Sequence, residues 1–99
     1  MAETPEHIAL DTLAELGETP GPDPITQLAA YAETNSATLQ DMRERMYLTH
    51  QAPTDPDEYT RVRDNTMTAR IALVRIQAAR ETAELQAILD LPTGDGDEQ

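Results

Sequence analysis

The chain lacks several residue types, and each absence excludes a class of structure. There is no cysteine, which excludes disulfide bonds and cysteine-ligated zinc or iron–sulfur sites. There is no tryptophan or phenylalanine, and only three tyrosines occur in 99 residues, so few bulky side chains are available for a core. No apolar run reaches the length of a transmembrane helix, so we expect no membrane partner. A domain this small and this poor in bulky residues has little stability to spare as a monomer.

Lysine is also absent, and the charge is strongly one-sided. All seven basic residues are arginine, against 19 acidic residues, giving a formal net charge of −12. Such a charge repels nucleic acid and anionic membranes, and it favours solubility or a basic partner. The N-terminus is acidic and has no signal-peptide pattern, so we expect a cytoplasmic protein or one incorporated into a viral particle. The charge fits either a specific function or adaptation to salt.

Two long segments, 25–52 and 57–91, contain neither glycine nor proline and are predicted to be helical. Three times, a threonine or aspartate precedes a proline. Such a pair predicts a helix start, because the cap oxygen accepts from a free backbone N–H and proline at the first helical position forfeits no hydrogen bond. The pairs are Thr4-Pro5, Asp23-Pro24 and Asp55-Pro56.

The predicted fold is all-α, a long antiparallel helical hairpin preceded by a short N-terminal helix. The three helices are expected at about residues 5–16, 24–50 and 56–91. Residues 17–23 contain two prolines and two glycines and are expected to form a stiff linker, with Gly17 ending the first helix. Residues 92–99 have the composition of a disordered acidic tail.

The second helix carries one apolar stripe, with spacings that alternate between three and four residues. The stripe comprises Ile25, Leu28, Ala32, Asn35, Leu39, Met42, Met46 and Thr49. Asn35 is either a polar contact that sets the register between helices or an edge residue of a drifting stripe. One stripe needs one partner surface, which the third helix can supply.

The third helix carries two stripes on roughly opposite sides. The first stripe comprises Val62, Ala69, Leu73, Ile76, Ala83, Ala87 and Leu91. The second stripe comprises Met67, Ile71, Val74, Ala78, Leu85 and Leu89. The predicted seam within the hairpin joins the first stripe to the second helix through Ile25, Leu28, Leu39, Met42, Met46, Val62, Leu73 and Ile76.

The second stripe needs a different partner, because a hairpin covers only one face of the third helix. We expect self-association, or binding to a larger assembly protein, through these six residues. The alternative is that the first helix folds back and that the remaining exposure is tolerated. That helix offers Ala9, Leu10, Leu13 and Leu16, but it is too short to cover the whole stripe.

Candidate catalytic and metal-binding residues are few and isolated. His7 and His50 belong to no pair with metal-ligand spacing, and Glu81 and Glu84 lack the histidine that accompanies such glutamates in di-iron bundles. Ser36 is the only serine and lies in no glycine-rich elbow. No phosphate-binding glycine motif is present. We therefore predict a protein that is not an enzyme and that uses no cofactor or metal.

The arginines are unevenly distributed, and four of them fall on either side of the predicted turn. Folding the hairpin brings these four to one end, where they form a locally basic region. They are candidates for contacts with phosphate or an acidic partner, or for pairing with the carboxylates around them. The four are Arg43, Arg45, Arg61 and Arg63.

Two segments around the turn resemble a known family. They read LQDMRERM (39–46) and DEYTRVRDNTMTARI (57–71). The pattern is similar to the helical hairpin of small terminase subunits of tailed phages from GC-rich hosts, and it covers about a third of the chain. The resemblance implies a non-enzymatic, ring-forming subunit that recognises viral DNA and regulates a motor subunit. It assigns oligomerisation to hairpin residues that include Leu39, Met42, Met46, Val62 and Ile71.

The predicted function is that of a non-catalytic structural or assembly protein acting through helix–helix self-association, in the context of a phage-type particle or DNA packaging. The alternative is an acidic protein that mimics nucleic acid and inhibits a DNA-binding enzyme. A mimic needs carboxylates in rows on one face, whereas the acids here concentrate at helix starts and in the tail.

Overall fold

The structure, a computed structural model, describes residues 4–91, which form three α-helices. They are α1 (Pro5–Glu15), α2 (Pro24–Thr49) and α3 (Pro56–Leu89). The predicted all-α hairpin with a short N-terminal helix is confirmed, and the predicted helix ends differ from the observed ones by one or two residues. The predicted acidic tail at 92–99 lies outside the described residues.

Each helix begins at one of the predicted cap–proline pairs. The Thr4 hydroxyl oxygen accepts from the backbone N–H of His7 at 3.2 Å, and Asp23 accepts from Thr26 at 3.2 Å. Asp55 accepts from two backbone N–H groups, each at 3.1 Å. Local hydrogen bonding therefore sets all three starts, since the cap supplies acceptors for N–H groups that have no partner within the helix.

The end of α1 is a Schellman motif centred on Gly17. The Glu18 N–H donates to the Leu13 carbonyl at 2.8 Å, and the Gly17 N–H donates to the Ala14 carbonyl at 3.1 Å. Gly17 has a φ of 77°, which a residue without Cβ adopts without steric cost. The reversal returns the chain towards the hairpin, and the linker that follows leads to the start of α2.

The helices α2 and α3 pack antiparallel, and two side-chain hydrogen bonds show their register. Arg70 donates to the Ser36 hydroxyl at 2.7 Å near the middle of the hairpin. Arg43 donates to the Tyr59 hydroxyl at 3.4 Å towards the turn. The result is an elongated molecule with extents of 72 × 28 × 20 Å.

The core lies away from the turn, where α1 packs against both arms of the hairpin. Most of the buried residues of α3 in it are small, which allows α1 and α2 to approach its backbone closely. The buried cluster comprises Ile8, Ala9, Leu13, Leu28, Ala32, Ala69, Ala72 and Ile76. Thr12 and Thr66 are also buried, and each hydroxyl donates to the carbonyl four residues earlier, at 2.7 Å.

The residues of the predicted seam are buried to different degrees. Leu28, Leu39 and Ile76 are buried. Asn35 is half-buried, like the residues nearer the two ends of the hairpin. The half-buried seam residues are Ile25, Met42, Met46, Val62 and Leu73.

The first stripe is covered along only part of its length. Ala83, Ala87 and Leu91 are exposed, as is every described residue from Arg80 onwards. The reason is a difference in length, since α3 has 34 residues and α2 has 26. In the register of the hairpin, the start of α2 lies beside the region of Arg80, and the described part of α3 beyond it is exposed.

The helix α1 folds back onto the hairpin but does not cover the second stripe. It packs instead on the Ala69, Ala72 and Ile76 side of α3, in the groove that α3 forms with α2. Leu10, which was expected to contribute, remains 40% exposed. The short helix therefore completes the core and leaves the opposite face of α3 open.

Candidate interaction surface

The second stripe of α3 is the largest set of exposed apolar side chains in the described part of the chain. Each of its five large members is more than half exposed, and Ala78 is exposed with them. The exposed fractions are 58% for Met67, 57% for Ile71, 69% for Val74, 61% for Leu85 and 77% for Leu89. Exposed apolar residues scattered singly are ordinary, but a continuous row on one helix face marks an interaction surface.

The stripe is exposed because the opposite face of α3 faces the rest of the protein. The buried residues Thr66, Ala69, Ala72 and Ile76 recur at spacings of three and four, which places them on one side of the helix. Residues of the second stripe lie about half a helical turn away from them. The same helix thus has a face buried within the chain and a face that is free to contact another molecule.

The structure adds Ile88 to this surface, a residue that the sequence-based prediction left out. Ile88 is 62% exposed and continues the alternating spacing from Leu85. The same spacing places Glu81 between Ala78 and Leu85, where its carboxylate accepts from the Gln77 side chain at 3.3 Å. The signal was available in the sequence, because positions 67, 71, 74, 78, 81, 85 and 88 form a heptad pattern with one charged member.

The four arginines near the turn are exposed, and three have partners close by. Arg45 pairs with Asp41 at 3.1 Å and Arg63 pairs with Asp64 at 3.3 Å. Arg43 reaches Tyr59 of α3, so the hairpin brings the two arginine-bearing segments to one end, as expected. Arg61 is exposed in the first turns of α3. Ion pairs this exposed contribute little to stability, so these side chains can exchange partners readily.

The histidines lie apart from each other. His7 contacts Asp11 at 3.2 Å on the exposed side of α1. His50 follows α2 in the left-handed conformation, with a φ of 54°, and its ring lies 6.4 Å from that of Tyr47. Within residues 4–91, no group of three or more histidine or acidic side chains is arranged to hold a metal ion.

Two shallow depressions lie on or near α2, away from the second stripe. One, of about 440 Å³, lies under the turn and is lined by Met42, Met46 and Pro53. The other, of about 520 Å³, lies on the outer side of α2 and is lined by Tyr47 and Leu48, which are 77% and 75% exposed. The first is also lined by Arg45, Asp55 and Glu58, and the second by Arg43 and Glu44, so both are polar at their rims and open to solvent.

Comparisons with protein-family models, curated proteins and solved structures found no match to this chain. Among the described helices, none combines the length and the apolar character needed to cross a bilayer. Over residues 4–91 the chain is an elongated bundle of three helices whose third helix exposes one apolar face, and the whole sequence is strongly acidic.

Proposed function

We propose that this protein is a non-catalytic assembly protein that acts through helix–helix self-association. The observation that supports the proposal is the second stripe, in which Met67, Ile71, Val74, Leu85 and Leu89 are each more than half exposed along one face of α3. Burying such a row against a second copy removes apolar surface from water, which is the main driving force of association.

The end of α3 supports the same proposal. Residues 80–89 continue beyond the core, and all of them are exposed. Most helical stability in proteins comes from packing of an apolar face, and this exposed segment lacks such packing among the described residues. Leu85, Ile88 and Leu89 lie in this segment, so a second molecule that covers them also stabilises the helix that carries them.

The proposed context is a particle of the tailed-phage type, as a component of assembly or DNA packaging. This part rests on the resemblance of residues 39–46 and 57–71 to the hairpin of small terminase subunits. The net charge of −12 disfavours direct binding to DNA by the body of the protein. Any contact with phosphate is expected at the turn, where Arg43 and Arg61 lie on the two arms.

The test is the absolute molar mass by light scattering after size exclusion, measured at low salt and at molar salt. A multimer of the 10.9 kDa chain at either salt supports self-association. A multimer only at high salt assigns the acidic surface to adaptation to salt, because screening then removes the repulsion between copies. A monomer at both salts refutes the proposal.

The second candidate is inhibition of a DNA-binding enzyme by mimicry of nucleic acid, and the net charge of −12 favours it. Several carboxylates are instead engaged locally, as Asp23 and Asp55 cap helices and Asp41 pairs with Arg45. The discriminating measurement is whether the monomeric chain binds the basic DNA-contacting surface of a DNA-binding enzyme, such as a heparin-binding nuclease.

A further inference from the structure

The charges beside the second stripe restrict how two copies can pack. In the heptad pattern of α3, one edge of the stripe carries Arg63, Arg70, Gln77 and Glu84 at intervals of seven residues. The edge is basic on one side of Gln77 and acidic on the other. Arg70 lies on the side of α2, where its guanidinium donates to the Ser36 hydroxyl. All four side chains are exposed, and the contacts of Arg63 and Gln77 are with Asp64 and Glu81 of their own helix.

Parallel packing of two α3 helices would bring like charges together. In a parallel pair, this edge faces the other edge of the partner's stripe, which carries Arg75. Arg70 of each copy would therefore lie opposite Arg75 of the other copy. The two Glu81 carboxylates would also lie in one layer of the interface, where desolvation makes their repulsion costly. Like charges placed opposite each other suppress an arrangement, even when the apolar row fits.

Antiparallel packing makes Arg70 and Glu84 attractive partners. On the opposite edge it brings Arg75 close to Arg75 of the other copy, and Glu81 of each copy offsets that repulsion. In an antiparallel pair, the edge faces itself, with Gln77 close to the two-fold axis. Arg70 of each copy then faces Glu84 of the other, and Met67 packs in one layer with Leu85 of the other copy. Glu81 lies beside Ile71 of the second copy and close to its Arg70 and Arg75, which oppose its charge.

Antiparallel packing also supports the overhanging end of α3. Residues 81–89 are all exposed, whereas Met67 and Ile71 lie on the part of α3 that packs against α1 and α2. In an antiparallel pair, this supported part of each copy packs against the exposed end of α3 of the other copy, so both exposed ends are covered. A parallel partner would place one unsupported end against the other.

We infer that two copies of this chain pair through α3 in antiparallel orientation, about a two-fold axis near Gln77, with Arg70 of each copy facing Glu84 of the other. The inference rests on the proposed self-association and adds its partner, orientation and register. The resulting unit is an isologous dimer, in which the same surface of both copies is buried.

The orientation can be tested directly, because the native chain contains no cysteine. Met67→Cys and Leu85→Cys are prepared separately, mixed, allowed to exchange and oxidised with copper-phenanthroline. Antiparallel pairing predicts a mixed disulfide between the two variants, identified by mass spectrometry of the linked tryptic peptides. It predicts no self-linked product, since equal positions would be about 27 Å apart, far beyond the reach of a disulfide.

A second test uses charge reversal. Arg70→Glu and Glu84→Arg are each expected to raise the dimer dissociation constant about tenfold, and an equimolar mixture is expected to restore association through complementary pairs. Parallel pairing predicts the reverse for Arg70→Glu, since the new carboxylate would face Arg75 of the second copy and tighten the dimer. Circular dichroism of each variant shows whether the fold is retained.

The outcomes separate this inference from the proposed function. Self-linked products of Met67→Cys and Leu85→Cys, or a tighter Arg70→Glu dimer, overturn the antiparallel arrangement while self-association stands. A multimer that forms none of these disulfides has its interface elsewhere and also overturns it. A wild-type monomer at both salts overturns the inference and the proposed function together.

Discussion

Replacing Val74 by aspartate is the sharpest test of the second stripe. Val74 lies in the middle of the stripe and is 69% exposed, so the substitution removes no contact on which the monomer depends. Valine and aspartate have similar intrinsic helix propensities, so α3 is expected to keep its helicity. The predicted result is loss of self-association with little change in the far-ultraviolet circular dichroism spectrum.

The magnitude follows from the exposed fraction. Full burial of a valine side chain contributes about 1.5 kcal/mol, and the exposed part of Val74 therefore about 1 kcal/mol per copy. A two-fold interface contains the residue twice, so about 2 kcal/mol is lost. Burying an unpaired carboxylate adds a penalty of about 1–3 kcal/mol or more in each copy. The sum is at least about 4 kcal/mol, so the dissociation constant should rise at least about a thousandfold.

Leu48→Asp is the matched control, because Leu48 is 75% exposed and lies on the outer side of α2, away from the second stripe. Both variants introduce the same charge at an exposed apolar position of a helix. Light scattering after size exclusion should find wild-type mass for Leu48→Asp and monomer for Val74→Asp at the same concentration. If Val74→Asp keeps the wild-type mass, the second stripe is not the interface.

Three further predictions concern the monomer. Leu13→Ala should lower the free energy of unfolding by about 3 kcal/mol, because Leu13 is fully buried. Leu10→Ala, at a 40% exposed position of the same helix, should lower it by well under half of that. Equal losses in urea titrations would contradict the observed packing of α1. His50→Gly should raise the free energy of unfolding by about 0.5–1 kcal/mol, since glycine adopts the left-handed conformation without strain. An unchanged or lower free energy of unfolding would argue against that conformation. Hydrogen bonds from the side chain and backbone of Thr26 lower the pKa of Asp23, so its contribution to stability is present above the unfolded pKa near 3.8 and is lost as the pH falls through the folded value. Asp23→Asn should therefore reduce the acid sensitivity of the unfolding midpoint below about pH 4, and an identical pH profile for both proteins would refute this.

The predicted and observed folds agree where the determinants are local. The starts at Thr4, Asp23 and Asp55 were predictable, because each cap bonds to an N–H two or three residues along the chain. The two faces of α3 were predictable from helical periodicity. The burial of Ala72 and Thr66 was not predicted, because alanine and threonine are too small or too polar to mark an apolar stripe in the sequence.

The candidate surface was predictable in part. Its six residues follow from periodicity, and the structure places all of them in solvent. Ile88 was missed because the pattern was read through Leu89, which lies on the edge of the heptad. The orientation of a second copy depends on Arg70 and Glu84. Their importance appears only when two α3 helices are placed antiparallel, because Arg70 of one copy then faces Glu84 of the other.

The sequence by itself determined where the helices start and end, that the hairpin closes at a proline-bearing turn, and that the third helix has two apolar faces. These properties depend on hydrogen bonds and spacings within a few residues of each position. Only the tertiary structure decided which face is covered, where α1 packs, and that α3 extends beyond its partners. Those outcomes depend on relative helix lengths, and on small residues such as Ala69 and Ala72 that let two helices approach the same side of a third.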